Sequence, residues 1–293
     1  MSDDQFGAEY GISPAQARDL PLDSHLHTDL SPDSDVPIDA FCAAAVHRGI
    51  REIAITDHID FDPRDPAYGY ADYEVRVRQV REAADRWAAR GLQVRFGAEL
   101  TFNRRWEDEV RVHLQRHRYD FTIGSVHDWP DSPYRDDARA AWIAATSLPD
   151  VVGPYFAEVA GAARSGLFDT IGHFDVVKRY LHPHVSTAAL AAAPELFDEA
   201  LQAVVDSGTA LEVNSSGLRH EVGETYPAEW VVRRYRQLGG RAVTVGSDAH
   251  RENHFAFGLD VAYRQAARAG FKSLAFRRGA EGLRIPIPDR FRT

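Results

Sequence analysis

The chain is predicted to be an α/β protein whose parallel strands close into a seven-stranded (β/α) barrel, with its chemistry at the C-terminal ends of the strands. Three observations predict this. Short apolar runs alternate with longer amphipathic stretches along all 293 residues, seven of the runs read as strands, and six of those seven finish in His, Asp or Glu. Repeated strand–helix alternation indicates βαβ units and a parallel sheet. Seven such units favour a closed barrel, and barrel proteins carry reactive groups at the ends where these runs finish.

The first run, Leu22 to His27, is followed by a helical stretch from Pro37 to Arg48. The second, Glu52 to His58, precedes a helix over Asp72 to Arg90 that stops at Gly91, as a glycine-terminated helix should. Gln93 to Leu100 and Tyr119 to His127 flank a helical stretch from Arg104 to Arg118. A long helical region, Asp136 to Ser165, leads to the strand Phe168 to Phe174, and a helix over Pro194 to Ser207 leads to Ala210 to Ser215. Pro227 to Leu238 precedes the last strand, Ala242 to Asp248, and a final helix, Asp260 to Ala269, ends before Gly270. No linker or composition break divides the chain, so residues 1–293 are read as one barrel domain. Residues 1–20 are an N-terminal extension, and 60–73 and 128–137 are long loops at strand C-termini.

Composition narrows the function classes. A net charge of −10 disfavours a nucleic-acid partner, because a polyanion requires a basic surface. No apolar stretch approaches the ~18 residues of a membrane span. The single cysteine, Cys42, excludes an intramolecular disulfide and a thiolate metal site. Met1 to Tyr10 is acidic and lacks the apolar centre of a signal peptide, so the expected location is the cytoplasm. A monomer or homodimer is expected.

The strand ends hold a constellation. The first carries Asp23-Ser-His25-Leu-His27, and residues two apart on a strand face the same side, so both imidazoles can converge on one ion. The others end in Asp57-His58, Glu99, His127, His173 and Asp248-Ala-His250, and the sixth in Asn214-Ser-Ser-Gly-Leu-Arg219. In four of these ends a glycine stands one to three residues before the ligand candidate. One such residue alone would be an ordinary hydrogen-bonded loop side chain. Gathered at one end of successive strands, carboxylates and imidazoles are costly without cations, and N/O donors without sulfur suit Zn, Mn or Fe. His47 and Cys42 belong to a helix, His113 and His117 to a solvated helical face, and His182 and His184 to a loop, while His220 and His254 are placed to touch a substrate.

These motifs resemble the polymerase-and-histidinol-phosphatase (PHP) superfamily, and within it the histidinol-phosphate phosphatases. The resemblance runs from Asp23 to about Gly258 and rests on His25-Leu-His27-Thr-Asp-Leu-Ser31-Pro-Asp33, Thr56-Asp57-His58, Glu99, Ser125-Val-His127, Gly172-His173-Phe-Asp175 and Gly246-Ser-Asp248-Ala-His250. It implies a distorted (β/α)7 barrel and three divalent metal ions. His25, His27, Glu99 and Asp248 would hold the first, Glu99 would bridge to a second on His127 and His173, and Asp33, His58 and His250 would take the third. Asp57 and Asp175 would orient neighbouring histidines or hold the barrel rim. The implied activity is hydrolysis of L-histidinol phosphate, a small phosphate ester, with Glu99, Asp248 and His250 in catalytic positions. Arginine suits phosphate because its planar fork matches two oxygens; Arg219 is the first choice and Arg179 the second. Tyr68, Tyr70 and Trp129 are placed by their loops to meet the imidazole end. A phosphoesterase for nucleotides or nucleic-acid ends, or a noncatalytic scaffold, are the alternatives.

Overall fold

The computed structural model describes residues 18–129, 132–135 and 138–292. Most of the expected N-terminal extension, and residues 130, 131, 136 and 137 of the second long loop, lie outside these. The first half of the fold contains β1 (Asp23–Leu26), α1 (Ile38–Arg48), β2 (Glu52–Ile55), β3 (His58–Ile59), α2 (Tyr73–Ala88), β4 (Gln93–Thr101), α3 (Glu107–Arg116) and β5 (Phe121–Ser125). Next come α4 (Arg139–Ala145), α5 (Leu148–Ser165), β6 (Thr170–Ile171), α6 (Val177–Leu181), α7 (Thr187–Ala191) and α8 (Glu195–Ser207). The chain continues through β7 (Ala210–Asn214), α9 (Glu229–Gln237), β8 (Val243–Gly246), α10 (Leu259–Arg268), β9 (Ser273–Arg278) and β10 (Glu281–Pro286).

The main sheet is parallel throughout, in the order β1-β2-β4-β5-β6-β7-β8. Glu52 pairs with Gln93 and His58 with Glu99 at one constant offset, so β2 and β3 are a single strand interrupted at Thr56 and Asp57. Seven strand positions therefore form a nearly closed barrel, as expected. Closure between β8 and β1 is by one bridge, Leu26 to Ala249, supported by Ser24 Oγ donating to the Val245 carbonyl at 2.8 Å and the Ser247 N–H donating to Asp23 at 2.9 Å.

Several boundaries differ from expectation. The strand expected over Phe168–Phe174 pairs only at Thr170 and Ile171, because the chain turns sharply at His173, whose φ is 21°. The long helical region is two helices, broken where Ser147 caps α5 by accepting the Asp150 N–H. His113 and His117 do not form a solvated face. His113 is half-buried and hydrogen-bonded through Nε2 to the Tyr119 hydroxyl at 2.8 Å, and His117 packs on Tyr73 with ring centres 4.1 Å apart. Packing against Tyr73 and Tyr119 draws both imidazoles inward. Cys42 is buried, as expected. Among the described residues no helix is long and apolar enough to cross a membrane.

The antiparallel hairpin β9–β10 was not among the expected elements. It lies against the N-terminal ends of the strands. Phe276 packs on Phe121 with ring centres 4.7 Å apart, Arg277 reaches Asp169 at 2.8 Å, and Arg278 grips buried Glu52 at 2.8 and 2.5 Å. The hairpin thus backs the barrel away from the site. Replacing Arg278 by Ala leaves Glu52 with the Arg95 Nε alone. The expected result in urea unfolding is a loss of about 1–3 kcal/mol of stability, with bound metal per folded chain unchanged.

Candidate metal centre

The barrel brings the nine ligand candidates to its C-terminal end. His25 lies on β1 and His27 just beyond it, His58 on β3, and Glu99 near the end of β4. His127, His173 and Asp248 each follow their strand by two residues, His250 comes two later, and Asp33 lies in the loop after β1. All but Asp33 are buried or half-buried, and that loop residue is half-exposed.

Four donor atoms form a tight cage. His25 Nε2 is 3.0 Å from His27 Nε2, 3.4 Å from Glu99 Oε2 and 3.7 Å from Asp248 Oδ1. His27 Nε2 is 3.3 Å from the same Glu99 oxygen and 3.4 Å from the same Asp248 oxygen. A tetrahedral ion with ligands at ~2.0–2.2 Å has donor–donor edges of about 3.3–3.6 Å, so the cage has the dimensions of a metal site. Glu99 Oε2 is buried and accepts no well-aligned hydrogen bond, although His58 Nδ1 stands 2.9 Å away. A buried carboxylate oxygen without such a bond is costly unless it meets a cation.

The other Glu99 oxygen, Oε1, is 2.8 Å from His173 Nε2 and 3.6 Å from His127 Nε2. Asp33 Oδ2 lies 3.4 Å from His58 Nε2 and 3.1 Å from His250 Nε2. His58 also turns Nδ1 to Glu99 Oε2 at 2.9 Å, so it stands between two clusters and is grouped spatially with Glu99 and His127 as well as with His27 and His250. The donors fit divalent cations.

Electrostatics give the same reading. Burial by itself would raise the Glu99 carboxyl, but charge on His58 and His25 and hydrogen bonds from His127 and His173 outweigh it and hold it well below the usual range. Burial is likewise overcome at Asp248, chiefly by His25 and His27. Conversely, burial would depress His25, yet Glu212, Asp248 and Glu99 raise it well above an ordinary histidine. His58 is raised against burial by Glu99 and Asp33, whereas burial, then His250 and His58, keep His27 well below the ordinary value. The carboxylates thus draw protons onto imidazoles, and these protons are what binding of a divalent cation would displace.

The backbone is adapted to this crowding. A side chain at Gly246 would overlap His25 and Glu212, and one at Gly172 would meet Ser125 and Ile123. That is why glycines precede these ligand candidates. Asp248 and His173 adopt positive φ of 53° and 21°, conformations that cost ~1–3 kcal/mol and collect at functional sites. Hydrogen bonds hold both, from the Asp248 N–H to the His25 carbonyl at 2.8 Å and from the His173 N–H to Glu212 at 2.8 Å.

Glu212 was missed by sequence reasoning. It accepts from His25 Nδ1 at 2.7 Å, from the His173 backbone and from Asn214 Nδ2, and so braces two ligand candidates at once. Its signal was a carboxylate inside an apolar strand, on the same face as Asn214. Asp57 holds the rim: it accepts from Thr28 and Ser31 in the loop after β1. Asp175 does the same for Lys178 and the Ala228 N–H.

The two arginines have different surroundings. Arg219 donates to the Ser247 and Asp248 carbonyls, each at 2.8 Å, and fixes the turn carrying Asp248. Arg179 lines the cavity over the donors, which has a volume of about 360 Å³ and is also walled by Asp33, His127, Tyr180 and His250. His220 and His254 are half-buried and are not among the residues lining it, and both are lowered to about 4 by burial and then by arginine charge. Tyr68 and Tyr70 are exposed and do not line the cavity, whereas Trp129 lines an adjoining one.

Fold and site together define a metal-binding (β/α) barrel with a histidine–carboxylate centre. The PHP domain family matches residues 23–216, and the chain belongs to this family. It is 32% identical over 261 residues to a probable histidinol-phosphatase of Deinococcus radiodurans, covering 87% of this chain and 96% of that one. A probable histidinol-phosphatase of Thermotoga maritima is 26% identical over 255 residues, covering 87% of this chain and 94% of that protein. The crystal structure of histidinol phosphate phosphatase from Lactococcus lactis, complexed with zinc, L-histidinol and phosphate, superposes with a TM-score of 0.71 at 21% identity, covering 90% of this chain and 98% of that one.

Proposed function

We propose that this chain is a metal-dependent phosphomonoesterase that hydrolyses L-histidinol phosphate to L-histidinol and phosphate. The carrying observation is the four-donor cage that includes the buried carboxylate oxygen Glu99 Oε2, in a chain 32% identical to a probable histidinol-phosphatase. We assign three divalent cations, of zinc, manganese or iron, to His25, His27, Glu99 and Asp248; to Glu99, His127 and His173; and to Asp33, His58 and His250. The proposal includes a cytoplasmic monomer or homodimer.

Divalent cations at such sites supply Lewis acidity toward phosphoryl oxygens and a water made nucleophilic at neutral pH. The chain's own residues do the positioning. Arg179 faces the cavity and offers a planar fork to phosphate oxygens. Arg219 pins the Asp248 carbonyl, and through it the orientation of the Asp248 carboxylate. Asp248 Oδ1 lies 3.4 Å from His250 Nδ1, which places a carboxylate and an imidazole on one wall for holding or moving a proton. Glu212 accepts from His25 Nδ1 and so keeps Nε2 directed into the cage.

A turnover comparison tests this reading. Protein purified without chelator is expected to hydrolyse L-histidinol phosphate with kcat/KM at least about 100-fold above nucleoside monophosphates and single-stranded DNA. Excess EDTA is expected to abolish that activity. Equal activity in EDTA, or a preference for nucleotides, would contradict it.

A further inference from the structure

The cavity over the donors does not end at them. A second cavity of about 330 Å³ abuts it, and Asp60, Asp65, Thr101 and His127 line both. Both have carboxylates in their walls, with Asp33, Glu99 and Asp248 in the first alone. Arg179 walls the first, whereas the second sets Asp60, Asp62, Asp65 and Asp128 against Arg64 and Arg105. Of those arginines, Arg64 is already gripped by Asp62, with its Nε at 3.0 Å from Oδ1 and an NH2 at 2.6 Å from Oδ2. Two indoles, Trp106 and Trp129, complete the lining, and Trp129 is held edge-on against buried Tyr134 with ring centres 4.1 Å apart. An anion-accepting end, an acidic border and an aromatic chamber thus follow one another along a continuous cleft.

We propose that the second cavity is the leaving-group subsite, in which Asp60 and Asp65 pair with an ammonium borne next to the ester methylene and Trp129 packs a flat ring beyond it. This rests on the phosphatase reading above and deepens it by naming what selects the alcohol. In L-histidinol phosphate the phosphate, the ammonium and the imidazole occur in that order along the molecule, the order in which the cleft presents Arg179, the two carboxylates and the indole. Charge-assisted hydrogen bonds to the ammonium are worth about 1.5–3 kcal/mol, or roughly 10–100-fold. An indole face attracts a planar or cationic ring. The border also rejects: neither a neutral alcohol nor a nucleotide brings a cation to meet the two half-buried carboxylates.

The test pairs a change in the substrate with a change in the protein. The kcat/KM is measured for L-histidinol phosphate and for its deamino analogue, in the wild type, Asp60→Asn and Asp65→Asn. Asn retains the turn hydrogen bonds, since Asp60 Oδ1 accepts the Asp62 N–H at 2.8 Å and Asp65 Oδ1 accepts the Ala67 N–H at 2.9 Å. The wild type is expected to prefer the amine-bearing ester by about 10–100-fold. In the variants that preference is expected to fall about tenfold, with kcat/KM for the deamino analogue moving less than about threefold. Trp129→Ala is expected to narrow the gap between L-histidinol phosphate and phosphoethanolamine, which has the ammonium but no ring. An undiminished preference for the amine in both Asn variants overturns the subsite while leaving the phosphatase reading standing. A wild type inactive on every ester overturns that reading, and the subsite with it.

Discussion

Replacing Glu99 by Gln is expected to lower turnover about 10³-fold or more while the barrel stays folded. Both Glu99 oxygens face imidazole nitrogens, of His25, His27 and His58 on one side and of His127 and His173 on the other. Gln preserves the shape but turns an anionic oxygen into an amide group, which donates where a cation would sit. Losing the Lewis acidity organised there is worth several kcal/mol, and ~4 kcal/mol corresponds to about 10³-fold in rate. The imidazoles of His25 and His58, which Glu99 helps to hold protonated, can release that proton once its charge is gone, so the metal-free barrel is expected to stay folded. Wild-type protein should therefore melt at lower temperature after chelation, through loss of ligand stabilisation, whereas Glu99→Gln should show little metal-dependent shift. A variant with near-normal turnover and a wild-type metal response would refute the role.

The second large effect is expected at Glu212, which faces the donors from behind. Glu212→Gln should weaken metal binding by about 10–100-fold, the usual consequence of losing a carboxylate that orients a ligating histidine. Glu212 Oε1 accepts from His25 Nδ1 and Oε2 from the His173 N–H. Gln has one acceptor, so its amide must point a donor at another donor. Asn214 adds to the penalty, because its amide spans Glu212 at 3.1 Å and Asp248 at 3.2 Å and loses one end of that bridge. Metal titration of the apoprotein checks this, with Asp57→Asn as the control. The Asp57 carboxylate accepts from Thr28 and Ser31 rather than from a candidate ligand's side chain, so the control should change affinity much less. Equal losses in the two variants would remove the special place given to Glu212.

The barrel and its nine-residue constellation were legible in the sequence because both leave local marks. An apolar run ending in His or Asp marks itself, and glycines stand where a side chain would strike His25 or Ser125. Glu212 was not legible, because its partners lie on β1 and beyond β6 and nothing local to Ala210–Asn214 announces them. The β9–β10 hairpin was missed for another reason: Leu274 and Phe276 alternate correctly, but arginines at 277, 278 and 284 hide the strand pattern until Glu52 and Asp169 are seen to receive two of them. The ranking of Arg219 over Arg179 depended on where backbone carbonyls end up, which residue spacing does not encode. His113 reads as a surface residue because its helix is charged, and only the tertiary contact with Tyr119 draws it inward.

Anomalous diffraction from crystals of the metal-replete protein locates the cations themselves. The account predicts an anomalous peak within about 2.0–2.2 Å of His25 Nε2, His27 Nε2, Glu99 Oε2 and Asp248 Oδ1, with further peaks beside Glu99 Oε1 and Asp33. A map with those four atoms ordered and no anomalous scatterer among them would contradict it.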